Sequence, residues 1–342
     1  MATSKIHRPI SISGFLYPAL LFLGAGAIVV HFAEGKQVWQ LLRQSNWWWI
    51  ALAALWQLLL LLNQSALYGA AYRLTGLPEA TGRLFLLVLA ASFTAAAVPG
   101  GAFSGAGLMV YDAARRGLDT ARAMLANVVF FLLDYLAFLL ILALALFYLF
   151  FHGALQEYQL IATGILTALV LAGFLLLAFG SRKPAAGAFS GNKPDKIGQP
   201  FPLGSLFRKK SAWAERFAGL AAQLAEAASA LRADKPGLFR AALHALLMEL
   251  IGLLQLEALF LAFGSHPAPG QLIAGYAVGV LFMIVSITPS GVGIMEGAMA
   301  AAYVSVGIPL SKATLVTFTY RALSFWLPVF AGFFVMRRVF RE

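Results

Sequence analysis

With 342 residues, 61% of them hydrophobic and only 11% charged, and a mean hydropathy of +0.82, the chain reads as a polytopic helical membrane protein. Long runs of Leu, Ala and Phe exclude an outer-membrane barrel, whose strands would alternate apolar and polar residues. The net charge of +11 falls mostly where cytoplasmic loops belong, which argues against nucleic acid as a partner, and the absence of cysteine excludes disulfide and thiolate chemistry.

Lys5 and Arg8 precede an apolar run, residues 14–33. It has the charge and core of a signal peptide, but it is long and no clear small-residue cleavage site follows, so it reads as a retained first span. Residues 35–46 form a short interfacial segment ending in Trp47, Trp48 and Trp49, an aromatic belt at a membrane boundary. The second span continues to about Tyr72 and carries Gln57, Asn63 and Gln64. Residues 84–98 are apolar and stop at Pro99-Gly100-Gly101; a short segment, 102–113, then ends at Arg115 and Arg116. A long Phe-rich span follows at 122–151 and another at 158–180.

Residues 181–211 are rich in Pro, Gly, Ser and basic residues and have no hydrophobic period, which marks a linker. Trp213, Phe217, Leu220, Leu224 and Leu231 then recur at helical spacing among charges, the pattern of an amphipathic helix lying on a membrane. Residues 181–240 hold eleven Lys and Arg against four Asp and Glu, a net of +7. The segment is either a solvated loop or a dock for anionic headgroups, at roughly 1 kcal/mol per basic residue near the surface. Residues 241–263 carry His244, Glu249, Gln255 and Glu257, with His244 expected near the cytoplasmic end and without a special role. Residues 271–287 lead into Thr288-Pro289-Ser290-Gly291-Val292-Gly293-Ile294-Met295-Glu296, a helix break followed by a carboxylate. Residues 294–306 and a last span, 313–335, complete the pattern, with Arg337, Arg338 and Arg341 beyond.

A span needs about 20 residues, and residues 102–113 are too few to cross. Treating 84–113 and 271–306 as re-entrant hairpins leaves six full spans, with both termini cytoplasmic. It puts 21 of the 25 Lys and Arg on the cytoplasmic side, with Lys36, Arg43 and Lys312 outside and Arg321 within the membrane. The two hairpins are also related in sequence. Pro99-Gly100-Gly101 precedes Pro289-Ser290-Gly291 by 190 residues, and the same offset relates residues 117–123 to 307–313, Gly107 to Gly297 and Met109 to Met299. The expected fold class is therefore an all-α polytopic integral membrane protein, with six full spans plus two re-entrant helical hairpins in an inverted-topology repeat. It is one membrane domain over residues 1–342. Repeat one lies at about 47–151 and repeat two at about 237–336, with 181–236 as a basic cytoplasmic linker and amphipathic helix.

Inside the membrane the polar residues carry the functional reading. Glu296 follows the Pro/Gly break near the positive end of the half-helix that starts there. Arg321 needs a partner at its depth, and Thr314, Thr317 and Arg321 share one face. Glu296 and Arg321 form the obvious pair, either a structural tie or a switchable gate in contact with a headgroup. Asn127 and Asp134 lie on one face of their span. Glu249 and Glu257 lie about 80° apart, so one faces a cavity and the other an interface, and protonation can keep either neutral in the membrane, which leaves proton coupling open. Pro99, Gly100, Gly101, Pro289, Ser290, Gly291 and Gly293 allow close backbone approach, with the N–H groups of the non-proline residues free for phosphate. No nucleophile elbow, HExxH or Cys/His cluster is present, so no catalytic residue, metal or cofactor is expected.

Thr288 through Gly297, Gly307, Tyr320-Arg321 and Phe325-Trp326-Leu327-Pro328 together resemble the lysylphosphatidylglycerol synthase-type transmembrane region, also called the flippase-like or UPF0104 family. The resemblance covers most of the chain. In family members with a soluble synthase domain, that domain makes aminoacylated phosphatidylglycerol and the membrane part is associated with moving it between leaflets. The 342 residues hold no such domain, so the resemblance implies no synthase activity. The family's first repeat often carries a charged Pro-x-Arg-type motif and an acidic–Arg pair; here those places are residues 99–103 and Phe130-Phe131, with only Asp134 kept.

The expected function is a lipid flippase or related transporter in a bacterial inner membrane, moving a charged-headgroup lipid through a midplane cavity between the two hairpins. Its substrate-binding residues are Glu296, Arg321, Tyr320, Asp134, Glu249 and the two hairpin breaks. Its partners are membrane phospholipids, an anionic or lipid-linked substrate, and either further copies of itself or a separate lipid-modifying enzyme. The alternatives are a membrane enzyme using Glu296, Asp134 or Glu249 as acid or base on a lipid-linked substrate, and a non-transporting scaffold for envelope synthesis.

Overall fold

The computed structural model describes residues 43–98, 101–180, 234–286 and 288–339. The expected first span, the basic linker with its amphipathic helix, and Pro99 and Gly100 lie outside these. The described residues are helical throughout, without strands. In chain order they form α1 (Trp47–Leu74), α2 (Thr81–Ala97), α3 (Ala102–Arg115), α4 (Thr120–Phe151), α5 (Glu157–Gly180), α6 (Lys235–Ala262) and α7 (Pro269–Val285). A 3₁₀ turn (Pro289–Gly291), α8 (Ile294–Ser305), α9 (Leu310–Arg321), a π-helical segment (Ala322–Trp326) and α10 (Leu327–Val339) follow.

Local chemistry sets the helix ends. The side chains of Asn46, Asp119 and Asp234 each accept a backbone N–H of the first turn of α1, α4 and α6. Matching left-handed glycines close α3 and α8. Gly117 has φ 69° and lets Leu118 N–H reach the Ala113 carbonyl at 2.9 Å; Gly307 has φ 91° and lets Ile308 N–H reach the Tyr303 carbonyl at 3.0 Å. The π segment has a local cause as well. Pro328 has no N–H to give the Ser324 carbonyl one turn back, and the ladder widens so that Leu327 N–H bonds to Ala322.

Among the described residues, five helices are long and apolar enough to cross a membrane: α1, α4, α6, the stretch Glu157–Leu175 of α5, and the stretch Leu310–Met336 built from α9, the π segment and α10. The molecule is a polytopic helical membrane protein. Large apolar side chains such as Ile161, Ile165 and Leu169 of α5 are more than half exposed, as lipid-facing residues should be. α2 and α7, at 17 residues each, are shorter.

The helices recur along the chain. α1, α2, α3 and α4 begin 188, 188, 192 and 190 residues before α6, α7, α8 and α9. α1 and α6 pack antiparallel, with Asn46 N–H on the Ala262 carbonyl at 2.9 Å and, further along, Asn63 Nδ2 on the His244 carbonyl at 2.8 Å. Each short helix leans on the far end of the opposite set: α2 on α10, and α7 on α4. Gly332 of α10 lies so close to the Leu89 carbonyl of α2 that a Cβ would overlap it, and Gly270 of α7 stands likewise against the Tyr148 ring of α4. The open ends of both helical pairs are clamped. Arg83 Nη2 meets Asp112 Oδ1 at 2.8 Å between α2 and α3, and Gln271 Nε2 donates to the Val306 carbonyl at 2.7 Å between α7 and the end of α8.

Candidate functional site

The turns of the two helical pairs meet in the interior. Ser290 Oγ donates to the Ala95 carbonyl at 3.5 Å, and Gly101 lies so close to the Ser290 backbone that an added Cβ would sit 3.6 Å from its nitrogen. Ser290 is the one non-glycine described residue with a positive φ, 52°. Such a conformation costs of order 1–3 kcal/mol and persists only where the surroundings impose it. Gly291 follows with φ 69°, and a Cβ there would come within 2.7 Å of Met283 Cα, so the turn requires glycine on two counts.

This turn satisfies its own backbone. Thr288 N–H goes to Ser286 Oγ at 3.1 Å, Gly291 N–H to the Thr288 carbonyl at 3.0 Å, and Gly293 N–H to Glu296 Oε2 at 2.7 Å. The expectation of N–H groups free for phosphate is therefore corrected at Gly291 and Gly293, because internal acceptors hold them. Gly291 and Gly293 shape the turn without lining the central cavity, and Pro289 forms part of the 3₁₀ turn.

Glu296 uses both carboxylate oxygens. Oε2 caps α8 through Gly293, and Oε1 accepts Arg321 Nε–H at 2.7 Å. Arg321 also donates Nη2–H to the Ser290 carbonyl at 3.0 Å, and its guanidinium stands 4.5 Å from the Phe325 ring centroid. Both charged side chains are almost fully buried, at 3% and 1% exposure. Burial of this depth is tolerable because geometry and additional hydrogen bonds are good on both sides. Thr314 and Thr317, on the same face of α9, are buried with Arg321.

A cavity of about 470 Å³ lies between the two turns and α1, α4, α6, α7 and α9. Of the residues singled out from sequence, it brings together Gly101, Asp134, Glu249, Ser290, Tyr320 and Arg321. Glu296 stands behind Arg321 and does not line it. The ambiguity between Glu249 and Glu257 resolves: Glu249 is buried on the cavity wall and accepts the Tyr276 hydroxyl at 2.9 Å, while Glu257 is exposed. Asn127 turns back to its own helix and donates to the Ala123 carbonyl at 2.9 Å. His244 is less bland than expected. It exchanges two hydrogen bonds with Asn63, its ring Nδ1 lying 2.6 Å from Asn63 Oδ1, and joins α6 to α1.

Sequence reasoning missed Tyr276 and Gln57 as wall residues. Tyr276 is the one hydroxyl-bearing side chain in α7, a signal that could have marked it. Gln57 is 1% exposed and its Oε1 has no hydrogen-bond partner. The two helical pairs are unequally held. At 190 residues before Glu296 and Arg321 stand Ala106 and Phe131. In place of an ion pair, Phe131 meets the rings of Phe103 at 6.1 Å and Tyr135 at 5.7 Å. Phe103, on the cavity rim, is 77% exposed. The cavity's charges are also unequal: Arg321 is neutralised by Glu296, whereas neither Asp134 nor Glu249 has an ion-pair partner among the described residues. No three His, Cys, Asp or Glu side chains gather as a metal site among the described residues.

A family model described as the lysylphosphatidylglycerol synthase TM region matches residues 15–332. Among curated proteins the chain is similar to the UPF0104 membrane protein of Pyrococcus horikoshii, 30% identical over 74 residues that make up 22% of each chain. It is 33% identical over 87 residues to a UPF0104 membrane protein of Methanothermobacter thermautotrophicus, covering 25% of this chain and 26% of that one. A third relative, from Methanocaldococcus jannaschii, is 33% identical over 90 residues, 26% of this chain and 27% of the relative. The matched stretch thus spans about a quarter of the length of these relatives.

Proposed function

The chain belongs to the lysylphosphatidylglycerol synthase transmembrane-region family, and from that premise we propose that it is a lipid flippase or related transporter, moving a charged-headgroup lipid between the leaflets of a bacterial cytoplasmic membrane. The observation that carries the reading is the meeting of two helix-break turns over a largely apolar cavity that also holds Asp134 and Glu249, with Arg321 fixed at the junction by Glu296 and the Ser290 carbonyl. Irregular backbone at membrane depth is tolerated where it is buried in protein or lines a water-filled cavity, and transporters use that tolerance to build substrate sites.

An inverted repeat with two re-entrant hairpins, α2–α3 and α7–α8, is the architecture we assign. Corresponding helices α1 and α6 pack antiparallel, and the exchange of α2 onto α10 with α7 onto α4 is what a pseudo-two-fold axis across the helix direction would produce. Such an arrangement lets one fixed site face either side by movement of one hairpin set against the other. With both termini cytoplasmic, the basic ends and linker face anionic headgroups.

The headgroup would enter the cavity while the acyl chains remain in lipid, and the exposed Phe103 on the rim supports a sideways opening toward the bilayer. Charge narrows the substrate. Among the described residues Asp134 and Glu249 have no counter-ion, and Phe130, Tyr135 and Phe325 add aromatic surface to the same wall. That combination suits an ammonium, so the reading moves from an anionic headgroup to a phospholipid bearing an amine beside its phosphate. The chain acts without chemistry on the lipid and without cofactor in this reading.

The test is purified protein in liposomes holding a trace of headgroup-labelled or amine-bearing fluorescent lipid, with outer-leaflet label destroyed by a membrane-impermeant reductant. Wild type is expected to expose inner-leaflet label, and Arg321→Ala and Asp134→Asn to slow it at least tenfold. Rates equal to protein-free liposomes for wild type overturn the reading.

A further inference from the structure

Asp134 of α4 and Glu249 of α6 approach one cavity from two helices, and among the described residues neither has an ion-pair partner. The groups facing them are Tyr68 of α1, Tyr135 of α4, Tyr276 of α7 and Tyr320 of α9, all neutral hydroxyls, with Arg321 as the cation on the wall. Arg321 is already engaged by Glu296 at 2.7 Å. Tyr276 donates to Glu249 Oε2, which fixes that carboxylate and leaves Oε1 for another donor. An independent observation sits beside them. Gln57 lines the same cavity, is 1% exposed, and its Oε1 has no hydrogen-bond partner. A buried acceptor without a donor is costly, and an N–H or O–H brought in from outside would satisfy it.

Two carboxylates drawn from water into one confined space repel each other and are each poorly solvated, so a positive charge must accompany them. Among the described residues neither carboxylate has an ion-pair partner. We infer that Asp134 and Glu249 form one exchange site in which the lipid's ammonium and a proton displace each other, coupling lipid movement to a proton moving the opposite way. This rests on the transport reading above and adds its energy source. In the exchange a carboxyl O–H bond breaks, its proton leaves to cavity water as hydronium, and the ammonium takes its place, so the charge of the site is unchanged. The lipid's departure on the far side reverses these steps and reloads the proton there. Tyr276 serves as a positioning residue, holding Glu249 through the cycle.

Two measurements test this. Detergent-solubilised protein in weakly buffered solution is titrated with short-chain phosphatidylethanolamine while a pH indicator is read. About one proton per lipid bound is expected, with none for phosphatidylglycerol and none for Asp134→Asn/Glu249→Gln, whose amides keep shape and can still accept from Tyr276. Proton release by that double variant, or lipid binding by wild type without release, overturns the inference. In liposomes, an imposed pH gradient is expected to change the aminolipid rate at least fivefold and to acidify or alkalise the lumen in step with it. Replacing sodium by potassium should leave both unchanged. Lipid crossing that ignores the pH gradient, or that follows sodium, overturns the coupling while leaving transport standing. Failure of lipid to cross at any gradient overturns transport and coupling together. A Tyr276→Phe variant that still releases protons, with its binding curve displaced along the pH axis, supports a positioning role.

Discussion

Arg321 donates Nε–H to Glu296 Oε1 at 2.7 Å and Nη2–H to the Ser290 carbonyl at 3.0 Å, so a single guanidinium joins the start of α8 to the strained turn before it. Glu296 completes the closure by accepting Gly293 N–H at 2.7 Å. The last span thereby holds α7–α8 at its break, while in α4 the residue corresponding to Arg321, Phe131, meets the rings of Phe103 and Tyr135.

Removing one partner of a buried ion pair strands the other, at about 3–5 kcal/mol, whereas replacing both by apolar groups is far milder. Arg321→Met is therefore expected to lower the thermal midpoint of the detergent-solubilised protein more than the double variant Glu296→Leu/Arg321→Met. Midpoints followed by tryptophan fluorescence would check this; a double variant less stable than Arg321→Met would show that the pair is not a closed unit.

Because the chain has no native cysteine, an introduced pair reports cleanly. Ser290 Oγ lies 3.5 Å from the Ala95 carbonyl. Ala95→Cys with Ser290→Cys is expected to cross-link through a short bifunctional thiol reagent, shifting mobility on a gel only when both cysteines are present. The cross-linked protein should lose lipid movement, and reversal of the link should restore it.

Close helix contact at glycine predicts which small changes hurt. A Cβ at Gly105 would stand 2.8 Å from the Ala91 carbonyl, and one at Gly332 would overlap the Leu89 carbonyl, in both cases backbone that cannot step aside. Gly105→Ala and Gly332→Ala should each cost roughly 1–3 kcal/mol through overpacking. Gly164→Ala on lipid-facing α5, with open space around it, should cost nothing measurable. Thermal midpoints of the three variants decide it.

Asn63 and His244 exchange two hydrogen bonds between α1 and α6. Asn63→Leu leaves the His244 ring without its partner and should cost roughly 1–3 kcal/mol. Hydrogen exchange by mass spectrometry is expected to rise along α1 and the facing part of α6 and to stay unchanged in α5. A uniform rise over the whole protein would mean that the pair does not hold that interface.

The sequence by itself determined the membrane class, the positions of the long helices, the breaks at residues 99–101 and 288–293, and the 190-residue offset. These follow from hydropathy over some 20 residues and from Pro and Gly, whose effects on the backbone are local. It also marked Glu296 and Arg321 as partners, since a charge at membrane depth needs one. Helical periodicity assigns a residue to a face of its own helix, however, without saying which neighbour that face meets. Only the tertiary structure decided that Glu249 lines the cavity and Glu257 does not, that His244 bonds to Asn63 across 181 residues, and that Tyr276 and Gln57 share a wall with Asp134. The fate of the turn's N–H groups was equally out of reach. It depends on backbone dihedrals at Ser290 and Gly293 that bring internal acceptors within reach, and those are set by the packing of α7 against α8 and by Arg321 from the last span.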